Sequence, residues 1–128
     1  MRTEPALRAR KQKFFASCCR AIVTAKRLGV PIIAGSDSFY VSAGHSVIDE
    51  IIALASAGLS NREAIRSATA VAADCLKLSS AKGALQPGMD ADLVAYENDP
   101  LKDLAALRKP LLVINGGQVF MNKLPDIR

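Results

Sequence analysis

Asp37 is the residue of this chain best placed to do chemistry. It closes a short, continuous apolar run, Val30-Pro31-Ile32-Ile33-Ala34, within Gly35-Ser36-Asp37-Ser38. α/β barrels set their catalytic side chains at the C-terminal ends of such strands. A turn or helix cap is the competing role, and aspartate fills it often. His45, the sole histidine, follows the loop Phe39-Tyr40-Val41-Ser42-Ala43-Gly44. A substrate contact and a helix-start or packing role are both open to it. Ser36, Ser38 and Tyr40 could line the same pocket. The cysteines do not extend the set. Cys18 and Cys19 are adjacent and, on a helix, point about 100° apart, so they cannot easily share a metal. Cys75 is distant and the count is odd, which describes no disulfide framework. Cys18 and Cys19 read as small buried hydrophobes in a reducing compartment.

The elements that must hold Asp37 in place follow from spacing. From about Pro5 to Leu28 the pattern is helical, with Phe15, Cys18, Cys19, Ile22 and Val23 as its apolar stripe. Gly29 is placed as the residue just past the helix end. Val30 to Ala34 then suits a strand buried on both faces, as in a parallel sheet. Helix, tight turn and buried strand make half of an α/β unit. A second helix begins near Ser46, with Ile48, Ile51, Ile52 and Ala55 on its inner side, and stops at Gly58. Ser60-Asn61-Arg62-Glu63 is a capping box that opens a third helix, running to about Leu76 with a stripe of Ile65, Ala68, Ala72 and Leu76. After Leu78 the character changes. Residues 1–78 are expected to form a helix-strand-helix-helix unit and residues 79–128 a β-rich segment. Within the latter, Gln86-Pro87-Gly88 is a turn and Asp92 to Tyr96 a strand. A short helical stretch follows from about Leu101 to Leu107. Leu111–Asn115 and Gln118–Met121 flank Gly116-Gly117 as a hairpin.

Composition narrows the class. Half the residues are hydrophobic and 23% are charged, which is a globular balance rather than a disordered one. No apolar run approaches the roughly 20 residues of a membrane span, and the start lacks the features of a secretory signal. A cytoplasmic protein without a membrane partner is the expectation. The net charge is +5, and much of it lies in Arg2, Arg8, Arg10, Lys11, Lys13, Arg20, Lys26 and Arg27. A nucleic-acid patch and the solvated face of a helix both fit this cluster. Aromatic residues able to stack on bases are scarce there, so no nucleic-acid partner is expected.

Three segments carry a resemblance. Gly29-Val30-Pro31-Ile32-Ile33-Ala34-Gly35-Ser36-Asp37 resembles the last barrel strand, with its terminal aspartate, of the metal-dependent amidohydrolase superfamily. Residues 57–69, from Ala57-Gly58-Leu59-Ser60 to Ala68-Thr69, resemble that family's "AGL(S/T)xxEALRAAT" helix start. Gly83 to Val94, followed by Asp99-Pro100-Leu101, resembles its "GxLxPGxxADLV" strands. The match is to the branch of imidazolonepropionases and prolidase-like Xaa-Pro or Xaa-Arg dipeptidases. It implies an α/β fold: the C-terminal fragment of a (β/α)8 barrel, meaning its last strand and flanking helices, followed by strands of a small β-sandwich.

The resemblance also implies a chemistry, the hydrolysis of an amide, cyclic amide or dipeptide C–N bond. Asp37 would be both a ligand to a catalytic divalent metal, usually zinc, and the general base toward its bound water. A metal lowers that water's pKa from about 15.7 toward 7, within reach of a weak base. His45, Ser38 and Tyr40 would border the substrate pocket. This chain departs from the family in one respect that decides how far function carries over. The family's other ligands include several histidines, and here there is one. Asp37 and His45 supply at most two ligands where a catalytic zinc takes about three from the protein. The chain alone is therefore expected to be inactive, to hold no metal tightly, and either to self-associate or to need an N-terminal portion. A non-catalytic structural or interaction module derived from the same fold is the alternative.

Overall fold

The structure, a computed structural model, describes residues 4–36 and 43–125, and of residues 43–46 the backbone alone. The chain order is α1 (Glu4–Arg27), α2 (Ala43–Ser56), α3 (Asn61–Ser67), α4 (Ala70–Cys75), β1 (Leu93–Tyr96), a 3-10 helix (Leu104–Arg108), β2 (Pro110–Asn115) and β3 (Gln118–Asn122).

The core is small and helical. Ile51 and Leu54 of α2 meet Leu59, Ala64 of α3, and Leu104 and Leu107 of the 3-10 helix. Ala64 is wholly enclosed, so α2 and α3 approach closely. Tyr96, Ile48 and Ile52 pack around this cluster, and burial raises the Tyr96 pKa. Three polar contacts fix its rim. The Ser67 hydroxyl donates to the Ala64 carbonyl at 2.6 Å, which satisfies the one buried polar side chain among the described residues. Asn61 Nδ2 donates to the Leu101 carbonyl at 3.0 Å. Asp103 accepts from the Ala105 N–H at 2.9 Å and so starts the 3-10 helix.

Local signals in the sequence explain most element ends. At the end of α1, the Val30 N–H bonds the Ala25 carbonyl and the Gly29 N–H bonds that of Lys26. This 6→1 and 5→2 pair is a Schellman cap. The capping box forms as expected: Ser60 Oγ accepts from the Glu63 N–H at 3.3 Å, and Glu63 Oε2 accepts from the Ser60 N–H at 2.7 Å. Gly116 and Gly117 both take positive φ, +56° and +78°, as a two-residue type I′ hairpin requires. The three strands form one antiparallel sheet in the order β1-β2-β3.

Several expectations are corrected. The third helix does not run unbroken to Leu76. It breaks at Thr69, whose φ −128°, ψ −101° is not helical, and the buried face is Ala64, Ser67 and Ala73. Leu76 is exposed. Gly83 explains the close approach at α4, because a Cβ there would lie 2.7 Å from Ala73 Cβ. The β-rich C-terminal segment is, among the described residues, a single three-stranded antiparallel sheet. The stripe on α1 is not buried: Phe15 and Val23 are exposed, while Ile22 alone of the five joins the periphery of the core. Cys18 and Cys19 are half-buried rather than buried, and Cys75 is exposed.

The largest correction concerns Val30 to Ala34. The segment is extended but forms no strand, because among the described residues no other strand lies beside it. From Pro31 to Ser36 its burial alternates. Ile32 and Ala34 pack on the helical core, and the Ala34 N–H donates to the Ser67 carbonyl at 3.0 Å. Val30 and Ile33 face outward. One face of the segment is thus covered, where the continuous apolar run called for two.

Candidate active-site segment

Asp37, Ser38 and Tyr40 lie outside the described residues, as does the side chain of His45. What the structure defines is how the stretch carrying them is held. On its N-terminal side, Ile32 and Ala34 anchor the extended segment to the core, and half-buried Ser36 is its last described residue. On its C-terminal side, α2 begins at Ala43 and is fixed by Ile48, Ile51 and Leu54, and by an ion pair between Asp49 and Arg108. Both described flanks pack on the same cluster. His45, which the sequence places just ahead of a helix beginning near Ser46, is the third residue of α2, which begins at Ala43.

The donor set does not fit a complete catalytic zinc site. Among the described residues no three His, Cys, Asp or Glu side chains gather where a metal could sit. With one histidine in the chain, Asp37 and His45 remain two donors at most.

A cleft of about 530 Å3 opens elsewhere, between the end of α1, the start of the extended segment and α3–α4. Its lining includes Lys26, Ile32, Glu63, Arg66 and Cys75. Ile32 precedes Ser36 by roughly 13 Å of extended chain, so this cleft is at the opposite end of the segment from Asp37. Sequence patterns gave no sign of it, because its residues come from four separate stretches of the chain.

Two polar clusters brace the structure. Lys26 Nζ sits 2.7 Å from Glu63 Oε2 and ties α1 to the capping box. Together with the Ser60 N–H and hydroxyl, it holds the Glu63 pKa down to about 2. A depressed carboxylate stabilises the fold above its unfolded pKa of 4.5, and that contribution disappears as the pH falls toward 2. The pair is exposed, so solvent screens it and the effect is small. Glu63→Gln is accordingly expected to flatten the dependence of stability on pH between about 4.5 and 2. Urea titrations at a series of acid pH values check this, and parallel curves for both proteins would refute it.

The second cluster is Lys82, whose Nζ lies 2.8 Å from Asp90 Oδ2 and 2.5 Å from Asp92 Oδ2. The two carboxylates, Asp90 foremost, raise the Lys82 pKa. Asp92 Oδ1 also accepts from the Gly116 N–H at 2.7 Å, and its pKa is lowered by Lys82 and then by this bond. Asp92, the second of two carboxylates in the Gly83–Val94 segment, is therefore engaged in pinning the hairpin turn.

Comparison with known proteins agrees with this architecture. The pattern of the Amidohydrolase family matches residues 7–120. An uncharacterized protein of Mycobacterium tuberculosis is 30% identical over 120 residues, covering 91% of this chain and 30% of its own length. The ochratoxinase of Aspergillus niger is 30% identical over 116 residues, 88% of this chain and 24% of the enzyme. Among solved structures, an Xaa-Pro dipeptidase with methionine bound in its active site superposes with a TM-score of 0.74 at 27% identity, over 81% of this chain and 25% of that one. A structure from Bifidobacterium longum assigned as a prolidase gives 0.75 at 33% identity, over 86% and 28%. The chain thus spans 24% to 30% of the length of these relatives. With a match running from the first turn of α1 into β3, this chain belongs to the amidohydrolase family.

Proposed function

We propose that this chain is the C-terminal part of a (β/α)8-barrel amidohydrolase that hydrolyses the C–N bond of a small amide or dipeptide, and that Asp37 is its catalytic carboxylate. The observation that carries the proposal is the family match, together with the likeness to prolidase-type structures across more than four-fifths of the chain. In sequence Asp37 directly follows the extended segment whose Ile32 and Ala34 pack on the helical core, and α/β barrels place catalytic side chains after such segments. A carboxylate at that point can take a proton from the attacking water and return it to the leaving nitrogen. His45, Ser38 and Tyr40, on the same stretch and the helix after it, would contact the substrate.

The donor count limits what the chain does by itself. A carboxylate and one imidazole do not make a catalytic zinc site, so the remaining ligands of any metal must come from outside these residues. Purified chain, loaded with zinc and then dialysed, is expected to retain well under stoichiometric metal and to hydrolyse no dipeptide or N-acyl amino acid. Elemental analysis and a product assay check this. Stoichiometric zinc with chelator-sensitive hydrolysis would overturn it.

A further inference from the structure

The cleft between the end of α1, the start of the extended segment and α3–α4 combines an apolar floor with a charged rim. Its volume, about 530 Å3, is in the range of pockets that hold small molecules. On the floor Leu59 is buried, and Ile32 and Val71 are half-buried. On the rim Arg66, Asp74 and Lys77 are exposed, and none of the three joins an ion pair among the described residues. Lys26 and Glu63, also on the lining, neutralise each other. Two free cations against one free carboxylate leave the rim with a net positive charge.

Lys77 is held at this rim against the local preference of the backbone. The Leu78 N–H bonds the Ala73 carbonyl at 2.8 Å and the Lys77 N–H bonds that of Asp74 at 3.1 Å. This is a second Schellman cap, closing α4, with Lys77 at the position that glycine usually takes. Its φ is +63°, and no other residue besides glycine has a positive φ among the described residues. A residue with a Cβ is strained there and glycine is not. Capping alone therefore favours glycine at this position. Lysine gives up stability and sets an ammonium beside the cleft, as strained residues at binding sites do.

We propose that this cleft binds a small monocarboxylate with an apolar body. The apolar part lies on Ile32, Leu59 and Val71, and the carboxylate accepts hydrogen bonds from the Arg66 guanidinium and the Lys77 ammonium. Asp74 repels a second negative charge and so favours a monoanion over a dianion. The volume is that of a metabolite-sized ligand, which selects a free molecule over a docking protein segment. The site uses none of Asp37, Ser38, Tyr40 or His45, and the proposal does not rest on the enzymatic reading.

Cys75 lines the cleft and is exposed, whereas Cys18 and Cys19 lie on α1 outside it. Alkylation by iodoacetamide, mapped by peptide mass spectrometry, therefore reports occupancy with internal controls. Phenylbutyrate is the probe, at the roughly millimolar concentration that a ligand of about a dozen heavy atoms needs. With the probe present, Cys75 is expected to react at least about fivefold more slowly, and Cys18 and Cys19 at unchanged rates. Phenylbutanol and phenylbutylamine, which lack the carboxylate, should protect less than about twofold. Arg66→Gln and Lys77→Gly should each weaken probe binding about fivefold or more. Lys77→Gly should at the same time raise the melting temperature by about 2–5 °C, because it relieves the positive φ, so that lost binding is not lost folding. Cys75 alkylation indifferent to the probe overturns the proposal. So does equal protection by the alcohol or the amine, or protection that survives both substitutions. None of these readouts involves turnover, so failure here leaves the hydrolase reading standing, and an inactive enzyme leaves this site standing.

Discussion

Leu54→Ala is expected to destabilise the chain by about 2–5 kcal/mol. Leu54 is 4% exposed and lies in the cluster that joins α2 to α3 and to the 3-10 helix. Truncation removes its transfer free energy and leaves a cavity that neighbours on three separate elements cannot all close. Domains of this size have only about 5–15 kcal/mol in hand, and the buried core here is nine hydrophobic residues among those described. One leucine is therefore a large share of the total. Urea denaturation followed by circular dichroism measures the loss. Phe120→Ala serves as the contrast, since Phe120 is 85% exposed and should change stability by under about 0.5 kcal/mol. A loss below about 1 kcal/mol at Leu54 would mean that the cluster is not the structural centre of the chain.

The second large effect concerns activity. In a fusion where this chain replaces the matching region of the Bifidobacterium longum protein, Asp37→Asn is expected to lower kcat about 10²–10⁴-fold. The substitution keeps size and hydrogen-bonding capacity but removes the group able to accept a proton. A turn cap, by contrast, tolerates asparagine nearly as well as aspartate. The same experiment thus separates the two roles that the sequence left open for Asp37. Unchanged turnover with intact folding would assign Asp37 to capping. Under the proposed reading, kcat falls while the melting temperature of the fusion stays put.

Short-range signals carried through to the structure almost unaltered. The Schellman turn at Gly29, the capping box at Ser60 and Glu63, the turn at Pro87-Gly88 and the hairpin at Gly116-Gly117 each depend on a few consecutive residues. The backbone preferences of glycine, proline, serine and glutamate decide such features locally. The three motif segments likewise sufficed to place the chain in its family, because they report ancestry and need no folded surroundings.

Features that depend on distant partners were not legible. The apolar run from Val30 to Ala34 called for cover on both faces, and the folded chain supplies one, so the segment is extended without becoming a strand. The helix from Ser60 toward Leu76 breaks at Thr69, and its buried face turns to Ala64, Ser67 and Ala73. That outcome is set by how closely α2 and Gly83 approach, which no periodicity within the helix records. Lys26 with Glu63, Lys82 with Asp92, and Arg108 with Asp49 are pairings across the fold that spacing in sequence does not reveal. The sequence by itself determined the family, the local turns and caps, and Asp37 as the candidate carboxylate. Only the tertiary structure decided that the extended segment packs one face on the helical core, and that α2 packs on the same core. The reason is physical: caps and turns are settled by neighbours in the chain, whereas burial and strand pairing are settled by whatever lies across the space beside them.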